Sequence, residues 1–211
     1  MNGIRPLRRL LGLAVLVLLL SGCGAHSARG DAHQSTFADG MRAHLAKRYG
    51  DSRPIFADLA AAGNVRAQFM MGTIHEQGLG IPKSLSRAAD WYRKAAEGGN
   101  ASAQYNLGVL YQFGKGVPKD AKAAAFWHRK AANQGHGRAQ NNLSTFYYTG
   151  VGVDRDLAEA WKWLSLSAAG LKGQGRKIAL QNRTILEKEM TEAARAEGRR
   201  RVAAWRDRRT K

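Results

Sequence analysis

The residues of this chain that could do chemistry are one cysteine, six histidines and sixteen acids. A metal site needs such side chains at ligand spacing, as in HExxH on one helix face, and the histidines show no such spacing. Catalysis needs a nucleophile beside a base, or paired carboxylates with shifted pKa values, and the acids are scattered along the chain. We therefore predict no catalytic residue, no metal site and no cofactor, and we expect a protein that is not an enzyme.

Three glycine-rich motifs, GLG, GKG and GVG, begin at Gly78, Gly114 and Gly150. A glycine-rich loop before a helix N-terminus can cradle a phosphate. Here no strand pattern precedes the motifs, no GK[ST] follows them, and they recur at equal spacing. We interpret them as connectors, because a glycine in left-handed conformation commonly ends one helix before the chain turns into the next.

The single cysteine, Cys23, follows a basic segment and an apolar run from Leu10 to Leu20. Arginines ahead of an unbroken apolar run are typical of a secretory signal peptide. The run has about half of the roughly 20 residues that a membrane-spanning helix needs, so a permanent transmembrane anchor is the weaker interpretation. One cysteine also excludes an intramolecular disulfide framework. We assign residues 1–22 to the signal peptide.

The sequence LSGC, which ends at Cys23, resembles the lipobox of bacterial lipoproteins. The resemblance implies cleavage before Cys23, attachment of fatty acids such as palmitate to its sulfur and amino group, and export to the bacterial envelope. Gly24 stands where an aspartate commonly signals retention in the inner membrane, which favours the periplasmic face of the outer membrane. The small polar residues of 23–36 predict a flexible tether. An ordinary signal peptide with a cysteine near its cleavage site is the alternative.

The remainder of the chain repeats itself, because residues 64–99, 100–135 and 136–171 align without gaps at a period of 36. Each copy has the pattern of a helix, a glycine-rich turn and a second helix. Helix starts carry side chains whose oxygens can accept from the unpaired N–H groups of a first turn. These capping residues are Asn64 and Asn100 for first helices, and Ser84, Asp120 and Asp156 for second helices.

Small and large residues recur in fixed columns of the repeat. Small side chains allow helices to approach closely, and large ones fill the space between them. One unit cannot bury its own apolar face, so neighbouring units must stack. The large columns include Trp91, Trp127 and Trp163. If Trp127 is buried, its replacement by alanine should cost about 3–5 kcal/mol.

The three copies resemble the Sel1-like repeat, a relative of the tetratricopeptide repeat. The resemblance implies an all-α fold, a right-handed α-solenoid of helix-turn-helix units. The third copy departs from the family pattern, with Ser144 for glycine and Asp154 for proline, as expected near the end of an array. Residues 172–211 resemble the capping helices that close such arrays, and they end in a basic tail.

The segment 37–63 is interpreted as a degenerate N-terminal cap. Its first part has apolar residues at the i, i+4 spacing of one helical face. Those residues are Phe37, Met41, Leu45 and Tyr49. Its second part resembles the second helix of a degraded unit, with Ile55 in the column of Trp91.

By the same resemblance, the first helices line a concave side that binds a protein partner. A groove of amide and basic groups suits an acidic or extended peptide. We therefore predict an envelope-anchored scaffold or adaptor. The candidate contact residues are Arg66, Met70 and Thr73, then Ser102, Asn106 and Val109, then Arg138, Asn142 and Thr145.

The formal net charge is +18, or +15 without the three arginines of the signal peptide. Residues 195–211 carry eight basic and two acidic side chains. An alternative function is therefore binding of an anionic polymer, such as lipopolysaccharide, anionic lipid or cell wall, through the C-terminal tail. The candidate contacts are Arg199, Arg200, Arg201, Arg206, Arg208 and Arg209.

Two further functions are disfavoured. Nucleic acid is not expected, because the protein is predicted to be exported and the tail lacks interleaved aromatic residues apart from Trp205. A hydrolase that acts on β-lactams or on the cell wall is the less favoured third function, since some cysteine-rich relatives in the repeat family are linked to β-lactam binding or hydrolysis. Those relatives have regular disulfide pairs, which this chain with its one cysteine lacks.

Overall fold

The computed structural model describes residues 36–210, and every regular element among them is an α-helix. In chain order the helices are α1 (Phe37–Leu45), α2 (Tyr49–Ala61), α3 (Val65–Gln77), α4 (Leu85–Glu97), α5 (Ala101–Phe113), α6 (Ala121–Asn133), α7 (Gly137–Thr149), α8 (Leu157–Gly170), α9 (Gly173–Glu187) and α10 (Glu192–Thr210).

Within these residues, each helix from α1 to α9 packs on the helix that follows or precedes it in the chain. The pairs α3–α4, α5–α6 and α7–α8 are the units that repeat in the sequence, and they stack in chain order. Helix α10 returns to pack against α8. The predicted all-α solenoid of helix pairs is therefore confirmed.

The predicted capping side chains start the repeat helices. The Asn64 side chain accepts from the backbone N–H three residues further on, at 3.0 Å, and Asp120 does the same at 3.0 Å. In the third repeat the first helix, α7, is capped by His136, whose Nδ1 accepts from the N–H of Ala139 at 3.2 Å. The sequence had offered no cap at this position, because imidazole is not among the usual capping groups.

Large residues are buried more consistently in the column that follows the tryptophan column by one residue than in the tryptophan column itself. We call it the ring column; its members are Phe56, Tyr92, His128 and Leu164. The first three of these residues are fully buried, and Leu164 is 3% exposed. Trp127 is only partly buried, so the condition for a cost of about 3–5 kcal/mol is not met at that position.

A small residue of the first helix faces each aromatic member of the ring column. A Cβ added to Gly72 would lie 2.5 Å from the ring of Tyr92, and one added to Gly108 would lie 2.8 Å from the ring of His128. Gly40 in α1 meets Phe56 in the same way, at 2.8 Å. The N-terminal cap is therefore built like a repeat. The segment between its glycine, Gly40, and its ring, Phe56, is four residues shorter than the segment between Gly72 and Tyr92.

The first helix of the cap is shorter than its apolar spacing predicted. Helix α1 ends at Leu45, which is 75% exposed, and Tyr49 begins α2 instead of continuing the same face. The break includes Lys47 at a φ of 58°. Only Phe37 and Met41 of the predicted face pack against the cluster around Phe56.

Candidate protein-binding surface

The predicted contact residues lie on the first helices of the three repeats, α3, α5 and α7. Arg66, Arg138 and Thr145 are exposed, Met70 is buried, and the others of the nine are partly exposed. We call the accessible eight the first-helix surface. It contains two arginines and no carboxylate.

The middle row of this surface touches the polar tips of the ring column. The Tyr92 hydroxyl donates to Glu76 Oε2 at 2.6 Å, and it lies 3.4 Å from the Thr73 hydroxyl. The side chain of Asn106, from the next repeat, also lies beside this hydroxyl. Burial is the main reason that the pKa of Tyr92 is raised. A buried ring of one repeat is thus held between the first helices of two repeats.

His128 occupies the equivalent position one repeat later. Its Nε2 lies 3.3 Å from Gln112 Oε1 and 3.5 Å from Asn142 Nδ2, while its Nδ1 is buried and makes no hydrogen bond. Burial lowers the pKa of His128 to about 4. Protonation would place an N–H at Nδ1 with no acceptor, so the neutral ring is the form that fits.

Met70 differs from the prediction that it faces a partner, since it is 9% exposed and belongs to the cluster of Phe56 and Ile74. The reason lies in the preceding ring. Phe56 has no polar tip, and an apolar side chain packs beside it, whereas the same column carries Asn106 beside Tyr92 and Asn142 beside His128. The polarity of Met70, Asn106 and Asn142 therefore follows that of the buried residue that each one packs against.

A depression of about 340 Å³ lies on the first-helix surface, where α3, α5 and α7 meet. It brings together Ser102 and Asn106 of the second repeat and Arg138 of the third. Tyr105 and His136 also line it, with their rings stacked at 4.7 Å between centroids. Sequence reasoning missed this pair, because Tyr105 shares its aromatic column only with Phe69, and His136 stands where the first two repeats have asparagine. The depression offers hydroxyl, amide, aromatic and guanidinium groups together.

The predicted basic tail is a helix docked on the repeats rather than a detached segment. Arg201 Nη1 donates to Asp156 Oδ2 at 2.6 Å and to Glu159 Oε2 at 3.2 Å, both near the start of α8. Hydrogen bonding to Asp156 raises the pKa of Arg201. Val202 and Trp205 pack in the cluster around Trp163. Arg201 is therefore a structural residue and not a free surface contact.

The other predicted tail arginines are divided among different surroundings. Arg199 pairs with Glu192 at 2.6 Å, Arg200 pairs with Glu197, and Arg209 donates to the carbonyl of Asn133. Arg206 and Arg208 are exposed and have no carboxylate partner among the described residues. The charge of the tail does not form one uniform surface.

The described residues contain no group of three metal-ligating side chains, and none of their helices is long and apolar enough to cross a membrane. His75, predicted to be a packed ring, is 8% exposed. The lipid-attachment residue Cys23, the signal peptide 1–22 and nearly all of the tether 23–36 lie outside the described residues.

The model of the Sel1 repeat family matches residues 65–100, 101–136 and 137–170. The chain is similar to the crystal structure of a Sel1 repeat protein from Oxalobacter formigenes, with 32% identity and a TM-score of 0.65. That match covers 71% of this chain and 58% of the other.

The chain is also similar to c5321, described as a protective antigen present in uropathogenic Escherichia coli strains that displays an SLR fold. The identity is 27%, the TM-score is 0.55, and the match covers 82% of this chain and 46% of that one. This chain therefore matches less than two thirds of the length of either protein. No curated protein has a significant match to it.

Proposed function

Because this chain belongs to the Sel1 repeat family, whose repeats cover about half of it, we propose that it is a scaffold whose first-helix surface binds an extended segment of a partner protein. Sel1 repeats suggest protein partners in general. The observation that carries the proposal here is the depression shared by Ser102, Asn106 and Arg138, because it joins polar and aromatic groups from successive repeats on one accessible surface. No catalytic step is part of this function.

The partner segment is proposed to be acidic. Arg138 is exposed and has no carboxylate partner among the described residues, and Arg66 lies over the ring of Phe37 at 4.2 Å with its charge unneutralised there. Glu76 approaches this side of the molecule, and it keeps its negative charge while it accepts from the Tyr92 hydroxyl. The attraction for an incoming carboxylate therefore depends on the positive charges of Arg138 and Arg66.

Photo-crosslinking in cells tests the first-helix surface. A photoreactive phenylalanine analogue at Ser102 or at Arg138 should give discrete crosslinked products that contain one protein partner. The matched controls are Ser86 and Lys122, two exposed positions in equivalent columns of α4 and α6. Equal products from all four positions would contradict the proposal, and so would an unchanged yield at Ser102 when Arg138→Glu is added.

The scaffold is further proposed to be anchored in the bacterial envelope by lipid on Cys23, on the outer membrane. The support is the signal-like segment and the LSGC sequence. Each buried methylene of an acyl chain contributes about 0.8 kcal/mol, and stable anchoring takes more than one chain. The acylated cysteine would therefore hold the repeats at the membrane surface.

Replacing the only cysteine tests the anchor. Cys23→Ser should abolish labelling by a fatty-acid analogue and move the protein out of the membrane fraction. Ser27→Ala, four residues downstream, should change neither property. Retained labelling in Cys23→Ser, or unchanged fractionation, would disprove acylation at this residue.

A further inference from the structure

Positive side chains converge in a cleft between α8, α9 and α10. Four arginines line it, Arg176 and Arg183 from α9, and Arg199 and Arg206 from α10. Its volume is about 370 Å³, and no acidic side chain is among the described residues that line it. We call it the arginine cleft. It is separate from the first-helix surface.

The charge in the arginine cleft is only partly neutralised. Glu187 lies 3.4 Å from Arg183 Nε, but the same carboxylate oxygen accepts from Trp161 Nε1 at 2.6 Å. Glu192 pairs with Arg199. Arg176 and Arg206 have no carboxylate partner in the part of the chain that the structure describes. Two of the four guanidinium charges are therefore available to a ligand.

One polar atom beside the cleft has no hydrogen bond. Ser165 lines the cleft, and its Oγ is inaccessible to solvent and has no hydrogen-bond partner. A buried hydroxyl without a partner costs free energy, so this atom would gain a hydrogen bond if a ligand or a water reached it.

The remaining wall of the cleft is apolar. Trp161, Leu180, Val202, Ala168 and Ala169 supply it. The volume falls in the range of small-molecule sites, about 300–1,000 Å³, and far exceeds the roughly 30 Å³ share of one water molecule. There is room for an anionic group with an organic substituent.

We propose that the arginine cleft binds a phosphate monoester, with the phosphate on Arg176 and Arg206 and the organic group against Trp161 and Leu180. Guanidinium groups hold phosphate oxygens in bidentate geometry, and a dianion matches two uncompensated charges. The ligand can come from a soluble phosphate ester or from the phosphomonoester headgroup of a lipid. This inference does not depend on the proposed protein-binding function, because no residue of the first-helix surface lines the cleft.

Calorimetric titration of the full chain with phenyl phosphate tests the site. Saturable binding is expected, and Arg176→Gln combined with Arg206→Gln should weaken it about tenfold or more. The matched control combines Arg200→Gln with Arg208→Gln, which removes the same charge from α10 outside the cleft. This control should change the affinity less than about twofold. The lysine pair Arg176→Lys with Arg206→Lys should be intermediate, because it keeps charge and loses bidentate geometry.

The sources are distinguished with vesicles of phosphatidylcholine, with and without phosphatidic acid. Binding that requires phosphatidic acid and is lost in the cleft variant supports a lipid headgroup. Binding of phenyl phosphate alone, lost in the same variant, supports a soluble ester. Absence of saturable binding to either probe overturns the proposal. Equal weakening by the cleft and control variants, with helicity and melting temperature unchanged, also overturns it, because binding would then follow net charge alone.

Discussion

Gly116→Ala should destabilise the protein by about 2–5 kcal/mol, because it combines a strained backbone with a clash between two repeats. Gly116 has a φ of +73°, where a side chain is disfavoured. Its added Cβ would lie 2.3 Å from the carbonyl carbon of Leu85 and 2.5 Å from its oxygen. Both are backbone atoms at the start of α4, so no side-chain rotation relieves the contact.

Gly99→Ala is the matched control for this prediction. Gly99 has a φ of +89°, but nothing lies within 4 Å of its added Cβ. It should cost only the backbone term, about 1–2 kcal/mol. The two variants can be compared by urea unfolding followed by circular dichroism. Equal losses of unfolding free energy would show that the approach of one repeat to the next contributes nothing.

The same contact recurs along the array. A Cβ added to Gly152 would lie 2.6 Å from the backbone of Ala121, and one added to Gly80 would lie 2.9 Å from Tyr49 Cβ. The contacted residues are the first residues of α6 and α2, as Leu85 is of α4. The second glycine of each GxG motif is therefore a point of contact between units, in addition to allowing the turn. It also shows that α2 keeps the register of the repeats.

Acid should destabilise the protein through His128, by about 2 kcal/mol at pH 5 and about 3 kcal/mol at pH 4. Its pKa is about 4 in the folded protein, against 6.5 for an ordinary histidine. Between these values the unfolded chain binds a proton that the folded protein does not. The neutral His128 ring therefore makes its full contribution to the free energy of unfolding above pH 6.5. That contribution is lost as the pH falls toward 4.

His128→Tyr isolates this effect, because it installs the residue found at the same column of the first repeat. Gly108 leaves room for the ring, as Gly72 does for Tyr92, and the hydroxyl can reach Gln112 as Tyr92 reaches Glu76. The variant should fold, and its unfolding free energy should fall less than that of the wild type between pH 7 and pH 4. A parallel decline of the two proteins in urea titrations at these pH values would contradict the role of His128.

Adjacent columns of one helix show why burial could not be read from the sequence alone. Trp127 and His128 are about 100° apart around α6, and both recur as large residues on its inner side. Hydrophobicity favours the tryptophan, yet His128 is fully buried and Trp127 is not. The deciding factor is the distance to Gly108 on the neighbouring helix, which only packing of the two helices sets.

The structure places two of the predicted surface residues, Met70 and Arg201, in surroundings that the sequence did not predict, for a similar reason. Helical spacing correctly placed Met70 one step from the core, but Phe56, from another unit, covers it. Charge composition placed Arg201 on a basic tail, but Asp156, 45 residues earlier, binds it. Each outcome depends on a partner that is distant in sequence.

By itself the sequence determined the period of 36 residues, the repeat helix caps other than His136 and the turn glycines, because each of these rests on local backbone geometry and hydrogen bonding. It also determined the family. The tertiary structure decided which column is buried, which surface residues remain free, and that Arg176 of α9 meets Arg206 of α10 in one cleft. Those properties arise from approach between helices that are far apart in the chain, and local spacing does not encode that distance.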